Sequence, residues 1–191
     1  ELTAWAEAAR GRPDSKTQEL LTWLRQHLLA ADGQWTNERV VIFTEYRDTQ
    51  RWLHQLLTSA GFGGGDRLMS LYGGMATDQR ERIKAAFQAN PDVAPVRILL
   101  ATDAASEGID LQNHCSRLIH VEIPWNPNRM EQRNGRIDRH GQRATQVRIY
   151  HFVSKGWRER QGRDALAPDE LAADLEFLLR AALKVNTIRE D

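Results

Sequence analysis

The sequence predicts a three-layer α/β domain built on a parallel sheet, on two observations. Short, continuously apolar runs rich in branched residues recur along the chain, the pattern of strands buried on both faces. Between them lie segments whose apolar residues repeat at helical spacing. Strands alternating with helices imply crossover connections and a parallel sheet covered on both sides.

Taken in order, Ser15 and Gln18 fit a capping box, and Leu20, Leu21, Trp23, Leu24 and Leu28 continue at helical spacing. This predicts a helix over 15–31. The run 39–44 is the first strand, followed by a helix whose apolar face carries Trp52, Leu53, Leu56 and Leu57 and which Gly61 ends in the left-handed conformation. Gly63-Gly64-Gly65 then reads as a surface turn. A strand over 67–72 and a helix over 77–89 follow, the helix burying Ile83, Ala86 and Phe87 and closed by Pro91. Strands over 96–101 and 117–123, a helix over 127–140 and a strand over 146–153 complete the sheet. Residues 104–110 are expected to form a short, mobile helix or loop. Beyond the sheet, 154–164 reads as a linker and 168–186 as an amphipathic helix through Leu171, Leu175, Leu178, Leu179 and Leu183. The domain organisation is therefore an N-terminal extension over 1–14, one α/β domain over 15–160 and a helical extension over 161–191.

A length of 191 residues suits one domain with a sizeable core, so neither disulfides nor a structural metal is required. The lone cysteine, Cys115, excludes an internal disulfide framework and a multi-thiolate zinc cluster, and points to a reducing, cytoplasmic setting. It precedes a buried strand and reads as inert core. His54, His114, His120, His140 and His151 have no metal-ligand spacing and read as structural. No apolar run reaches the roughly 18 residues of a membrane span. The 26 basic residues balance 26 acidic ones, and a formal charge of zero argues on its face against a nucleic-acid partner.

The charge is unevenly placed. In an open parallel sheet, ligands bind beyond the carboxyl ends of the strands, so the loops there carry the chemistry. Between Arg129 and Arg148 six arginines face only Glu131 and Asp138, and Arg129, Arg133, Arg136 and Arg139 recur at spacings of four and three. Alone, such a stretch reads as a solvated basic face. A planar, permanently charged fork is also what a transferring phosphoryl group needs, and Gly135 and Gly141 among the arginines favour that reading. Thr102, Ser106 and the backbone at Gly108 offer small donors to phosphate oxygens at a strand-to-helix junction. Asp103 and Asp110 can accept from a ribose hydroxyl or hold an arginine, and capping explains Asp103 equally well. Gly73-Gly74 permits close backbone approach to a ligand or forms a plain turn.

Together the loops Phe43-Thr44-Glu45-Tyr46, Tyr72-Gly73-Gly74, Ala101-Thr102-Asp103 through Gly108-Ile109-Asp110, Pro124-Trp125-Asn126-Pro127 and Gln132 through Gln142 resemble, in order and spacing, the second RecA-like lobe of superfamily 2 helicases. Trp125-Asn126-Pro127 and Arg139-His140-Gly141-Gln142 are similar to the Swi2/Snf2 branch and, within it, to the bacterial HepA/RapA-like group. The resemblance covers residues 15–153. It implies that Arg136 and Arg139 are arginine fingers. Gln132, Gly108 and Asp110 would lie against the nucleotide, and Thr44, Gly73, Gly74, Thr102 and Asp103 near the nucleic-acid backbone. Asp110 departs from the asparagine that many Swi2/Snf2 members carry.

The resemblance further implies a motor lobe of an ATP-dependent double-stranded DNA translocase in a prokaryotic cytoplasm, using ATP and Mg²⁺. The sequence holds no Gly-x-x-x-x-Gly-Lys-Ser/Thr loop. A first lobe of the same parent chain is expected to supply it, leaving this fragment inactive alone. RNA polymerase or a subunit of a DNA-defence complex is the candidate protein partner. Two rivals stand beside this reading: an RNA-directed helicase lobe, and a partner-binding scaffold anchored by tryptophans such as Trp5, Trp23, Trp35 and Trp157.

Overall fold

Five mainly apolar runs pair into one parallel sheet in a computed structural model that describes residues 14–153, apart from Glu107 and the side chains of Ala105 and Ser106. By its contacts the chain falls into two units, Glu1–Glu38 and Arg39–Asp191.

In the first unit, helix α1 (Ser15–Leu28) is capped by Asp14 rather than by the predicted Ser15 and Gln18. The Asp14 carboxylate accepts from the Thr17 amide at 2.8 Å, leaving Ser15 inside the first turn. The helix stops before the predicted residue 31 because Leu29 turns extended and pairs with Trp35. Leu20, Leu24 and Leu28 form its buried stripe.

The second unit holds the sheet. Strand β1 (Val40–Thr44) is followed by helix α2 (Arg47–Ser59), then a single 3₁₀ turn at Gly64–Asp66 and strand β2 (Leu68–Leu71). Helix α3 (Thr77–Gln88), strand β3 (Ile98–Thr102), the one-turn helix α4 (Asp103–Ser106) and strand β4 (Arg117–His120) come next. Helix α5 (Pro127–Asn134) and strand β5 (Arg148–His151) complete it. The strand order is β2-β3-β1-β4-β5, with every pairing parallel. All five residues of β1 and of β3 are buried, as central strands covered on both faces must be.

Among the described residues the predicted order, type and direction of the elements hold, while three local expectations besides the end of α1 do not. Asp14 takes the cap expected of Ser15, as described above. Trp52 is 39% exposed, while the buried stripe of α2 is Gln50, Leu53 and Leu57. At about 100° per residue, position 52 falls off that stripe. Gly61 does end α2 with a φ of +92°. The third departure is functional: α5 ends at Asn134, six residues short of the prediction, because Gly135 caps it and donates its amide to the Glu131 carbonyl at 2.8 Å. Residues 135–140 are then turns, so Arg136 and Arg139 do not lie on the helix that carries Arg129 and Arg133. The predicted helix 168–186, the linker 154–164, Trp5 and Trp157 lie outside the described residues.

Two buried arginines tie down the amino-end edge. Arg39 donates Nε to the Val96 carbonyl at 3.0 Å and Nη1 to the Ala89 carbonyl at 2.6 Å, and Arg97 donates to the Ala94 and Pro91 carbonyls at 2.8 and 3.0 Å. Burial, then the neighbouring Arg97, lowers Arg39 to about 10, so it remains charged at neutral pH. Cys115 is buried beside them with its thiol pushed up to about 12 by burial, which fits inert core.

Candidate functional site

The chain leaves β1 toward β2 on one side of the sheet and leaves β4 toward β5 on the other. The carboxyl ends of β1 and β4 are therefore a topological switch point, where an open α/β sheet forms its crevice. A cavity of about 420 Å³ lies there, lined by Glu45 and Tyr46 after β1, Asp103 and Ala104 after β3, and Arg129, Gln132, Arg133 and Arg136 in and after α5.

Helix α5 is aimed by its N-terminus. Asn126 caps it, accepting the Asn128 amide at 3.0 Å, and Pro127 supplies the first-turn φ. Of its arginines, Arg133 is only 1% exposed and its guanidinium is fully committed. It meets Asp103 with two bonds, Nε to Oδ1 at 2.5 Å and Nη2 to Oδ2 at 2.8 Å, while Nη1 reaches the Glu122 carbonyl at 3.1 Å and His120 Nδ1 at 3.3 Å. A guanidinium has no acceptor, so Nδ1 must offer its lone pair and the imidazole proton sits on Nε2, donating to Asn134 Oδ1 at 2.9 Å. The ring is neutral: burial, and then the stacked His151 at 4.7 Å between centroids, lowers His120 to about 3. Burial, then Arg133, lowers His151 to about 4.

A second clamp secures the neighbouring loop. The Glu122 carboxylate accepts from Thr44 Oγ1 at 3.1 Å and from the Glu45 amide at 3.2 Å. Glu45 then reaches Arg129 across the cavity at 3.2 Å, an exposed pair worth at most about 1 kcal/mol. Gln50, fully buried on α2, donates to the Leu71 and Leu100 carbonyls at 2.9 and 2.8 Å and so joins the end of β2 to the middle of β3.

The cavity's charge balance follows. Asp103 is spent on Arg133 and Glu45 on Arg129, whereas Arg136 has no ion-pair partner among the described residues. Its Nε is buried with no acceptor among the described residues. A buried donor left unmade costs about 1–3 kcal/mol, and an anion in the cavity would satisfy it. The donor set suits a phosphate group.

The predicted site residues divide accordingly. Gln132, Asp103 and Arg136 line one cavity. Arg139 instead pairs with Asp110, and neither lines it. Gly108 has a φ of +69° and Gly74 one of +79°, backbone that glycine adopts without strain. Gly73 is crowded, since a Cβ there would stand 2.9 Å from Ala104 Cβ. Thr44 and Thr102 are register partners on β1 and β3 and both are buried, so they offer no surface hydroxyl to a nucleic acid. The interleaved glycines have local reasons: Gly135 closes α5 where a Cβ would approach the Glu131 carbonyl at 3.2 Å, and Gly141 turns with a φ of +90°. Gln142 pins that turn by donating to the Ile137 and Cys115 carbonyls at 2.8 and 3.0 Å. The sequence reading missed Gln50, His120, Glu122 and Asn134 as supports of the site. For His120 and Glu122 the available signal was a polar residue at or just past the end of an apolar strand, whereas Gln50 and Asn134 lie on helices and carried no such signal.

The helicase conserved C-terminal domain family matches residues 19–141. The ATP-dependent helicase YqhH of Bacillus subtilis is 38% identical over 119 residues, covering 62% of this chain and 19% of that protein. The RNA polymerase-associated protein RapA of Yersinia enterocolitica is 32% identical over 128 residues, covering 66% of this chain and 12% of RapA. The SNF2 domain-containing protein CLASSY 4 of Arabidopsis thaliana is 30% identical over 119 residues, covering 62% and 10%. The chain thus spans a fifth or less of the length of these relatives. Among solved structures, the C-terminal part of the Fun30 ATPase domain has the same fold, with a TM-score of 0.59 at 20% identity over 90% of this chain and 54% of that one. The yeast DEAD-box splicing factor Prp28 matches with the same TM-score of 0.59 at 20% identity over 91% of this chain and 31% of that one.

Proposed function

Since the chain belongs to the helicase conserved C-terminal domain family, as a RecA-like lobe of the Swi2/Snf2 type in superfamily 2, we propose that it is the second motor lobe of an ATP-dependent double-stranded DNA translocase. The observation that carries the reading is Arg136, a guanidinium in the switch-point cavity without a counter-charge among the described residues. ATP with Mg²⁺ supplies a transferable phosphoryl group, whose transition-state charge an arginine can offset by a factor of about 10³ to 10⁵.

In this lobe Arg136 is the finger that meets that charge, and the Arg133–Asp103 pair is the floor that holds its loop. Arg139 serves beside it after exchanging its partner Asp110, with Gln132, Gly108 and Asp110 on the nucleotide side. Arg129 lies at the cavity mouth, where Glu45 draws it aside. Gly73 and Gly74 bring backbone close to the DNA phosphates, while Thr44, Thr102 and Asp103 act from beneath as scaffold. Phosphate contacts position without reading bases, so sequence specificity is not expected.

The magnesium ligands and the phosphate loop belong to a first lobe of the parent protein, and the isolated chain is expected to be inactive. RapA is by its name RNA polymerase-associated, which makes RNA polymerase the protein partner to test first, in a prokaryotic cytoplasm. Among the described residues no helix is long and apolar enough to cross a membrane. The test is steady-state ATP hydrolysis by the full parent protein with duplex DNA or structured RNA. Stronger stimulation by the duplex is expected, and equal or stronger stimulation by RNA would contradict the DNA assignment.

A further inference from the structure

We propose that a groove between α2 and β2, away from the switch-point cavity, binds the phosphodiester backbone of duplex DNA; this rests on the reading of the lobe as a DNA motor and extends it to an unassigned surface. The groove has a volume of about 260 Å³ and is lined by Arg47, Arg51, His54, Gln55 and Ser70, with no carboxylate among them. Arg47, Arg51 and His54 recur at spacings of four and three and share one face of α2. They span about 10 Å of helix axis at 1.5 Å per residue, the axial length of about three phosphates on one duplex strand.

Two features make this more than a solvated basic face. Arg47 is fixed before any ligand arrives: its Nη1 donates to Gln50 Oε1 at 2.5 Å and its Cζ stands 3.4 Å from the Tyr72 ring centroid. Gln50 is itself buried and anchored to the carbonyls of Leu71 on β2 and Leu100 on β3, so the cation is held by the sheet. The Ser70 hydroxyl oxygen in the groove is buried without a hydrogen-bond partner among the described residues. Among the described residues Arg51 pairs with Asp48 alone, in an exposed pair at 3.1 Å that contributes about 0–1 kcal/mol and yields readily to a phosphate. Tyr72 directly precedes Gly73 and Gly74, so the groove continues the loop already proposed to approach DNA.

The test is the double charge reversal Arg51→Glu with His54→Glu in the full parent protein, read by the half-stimulating duplex concentration and by binding of a fluorescent duplex across a salt series. The expected result is a half-stimulating concentration raised about tenfold and a salt slope shallower by about one for each phosphate no longer neutralised, with basal and saturated turnover unchanged. An unchanged slope and half-stimulating concentration would overturn the proposal while leaving the motor reading intact. If the wild-type ATPase ignores DNA, the motor reading fails, yet weaker duplex binding by the variant would still support the groove. No duplex binding by the wild type, or a loss confined to RNA, would overturn it.

Discussion

Arg133 and Asp103 form a two-bonded ion pair beneath the cavity, at 2.5 and 2.8 Å, that ties the loop after β3 to α5 across a sequence separation of 30. Arg133 is 1% exposed and Asp103 25%, so removing the carboxylate leaves a nearly buried guanidinium without its counter-charge. Asp103→Ala is expected to destabilise the chain by about 3 kcal/mol in urea denaturation. Adding Arg133→Met should recover at least about 1 kcal/mol relative to the sum of the single changes. Additive costs would show that the pair is not coupled.

Gly73 and Ala104 test the close approach of the post-β2 loop to α4. Gly73→Ala brings two Cβ atoms to 2.9 Å and is expected to cost about 1–3 kcal/mol by overpacking. Ala104→Gly costs about 1 kcal/mol by itself, yet in the Gly73→Ala background it should stabilise. If it destabilises equally in both backgrounds, the two residues do not meet.

The stacked histidines set an acid limit. His120 and His151 are lowered to about 3 and about 4 from an ordinary 6.5, so the unfolded chain binds protons that the folded chain refuses. Their contribution is complete above about pH 6.5 and is lost as pH falls toward 3, by about 1.4 kcal/mol per pH unit for each ring. His151→Phe keeps a stacking partner for His120 and removes one titrating group. Urea midpoints between pH 7 and 5 should fall less steeply in this variant, and an identical slope would remove His151 from the acid response.

How much of this was legible depends on the distance over which each choice is made. Val40–Thr44 and Ile98–Thr102 are apolar almost throughout, and a strand covered on both faces satisfies such a run, so the parallel sheet followed from local pattern. Which arginine is free did not follow, because the counter-charges lie far away in sequence: Asp103 for Arg133, Asp110 for Arg139 and Glu45 for Arg129. Helical spacing placed Arg129 and Arg133 on one helix correctly and failed for Arg136, because Gly135 stops α5 at Asn134. The same glycine that read as a sign of a ligand is there as a cap, where a Cβ would crowd the Glu131 carbonyl at 3.2 Å.

Arg139 and Asp110 are a half-exposed pair, with side chains 43% and 51% accessible. Such a pair contributes at most about 1 kcal/mol, so Arg139→Ala should hardly move the urea midpoint. The same change is expected to lower DNA-stimulated ATP hydrolysis in the parent protein by more than about twofold, consistent with a residue that leaves Asp110 during turnover. Unchanged hydrolysis would make the pair purely structural.

Arg136 is the residue on which the functional reading turns. In the full parent protein with saturating duplex DNA, Arg136→Ala should reduce ATP turnover by about 10³-fold or more, with duplex binding unchanged. Turnover within about twofold of wild type would contradict the assignment of Arg136 as the group that meets the transferring phosphoryl charge.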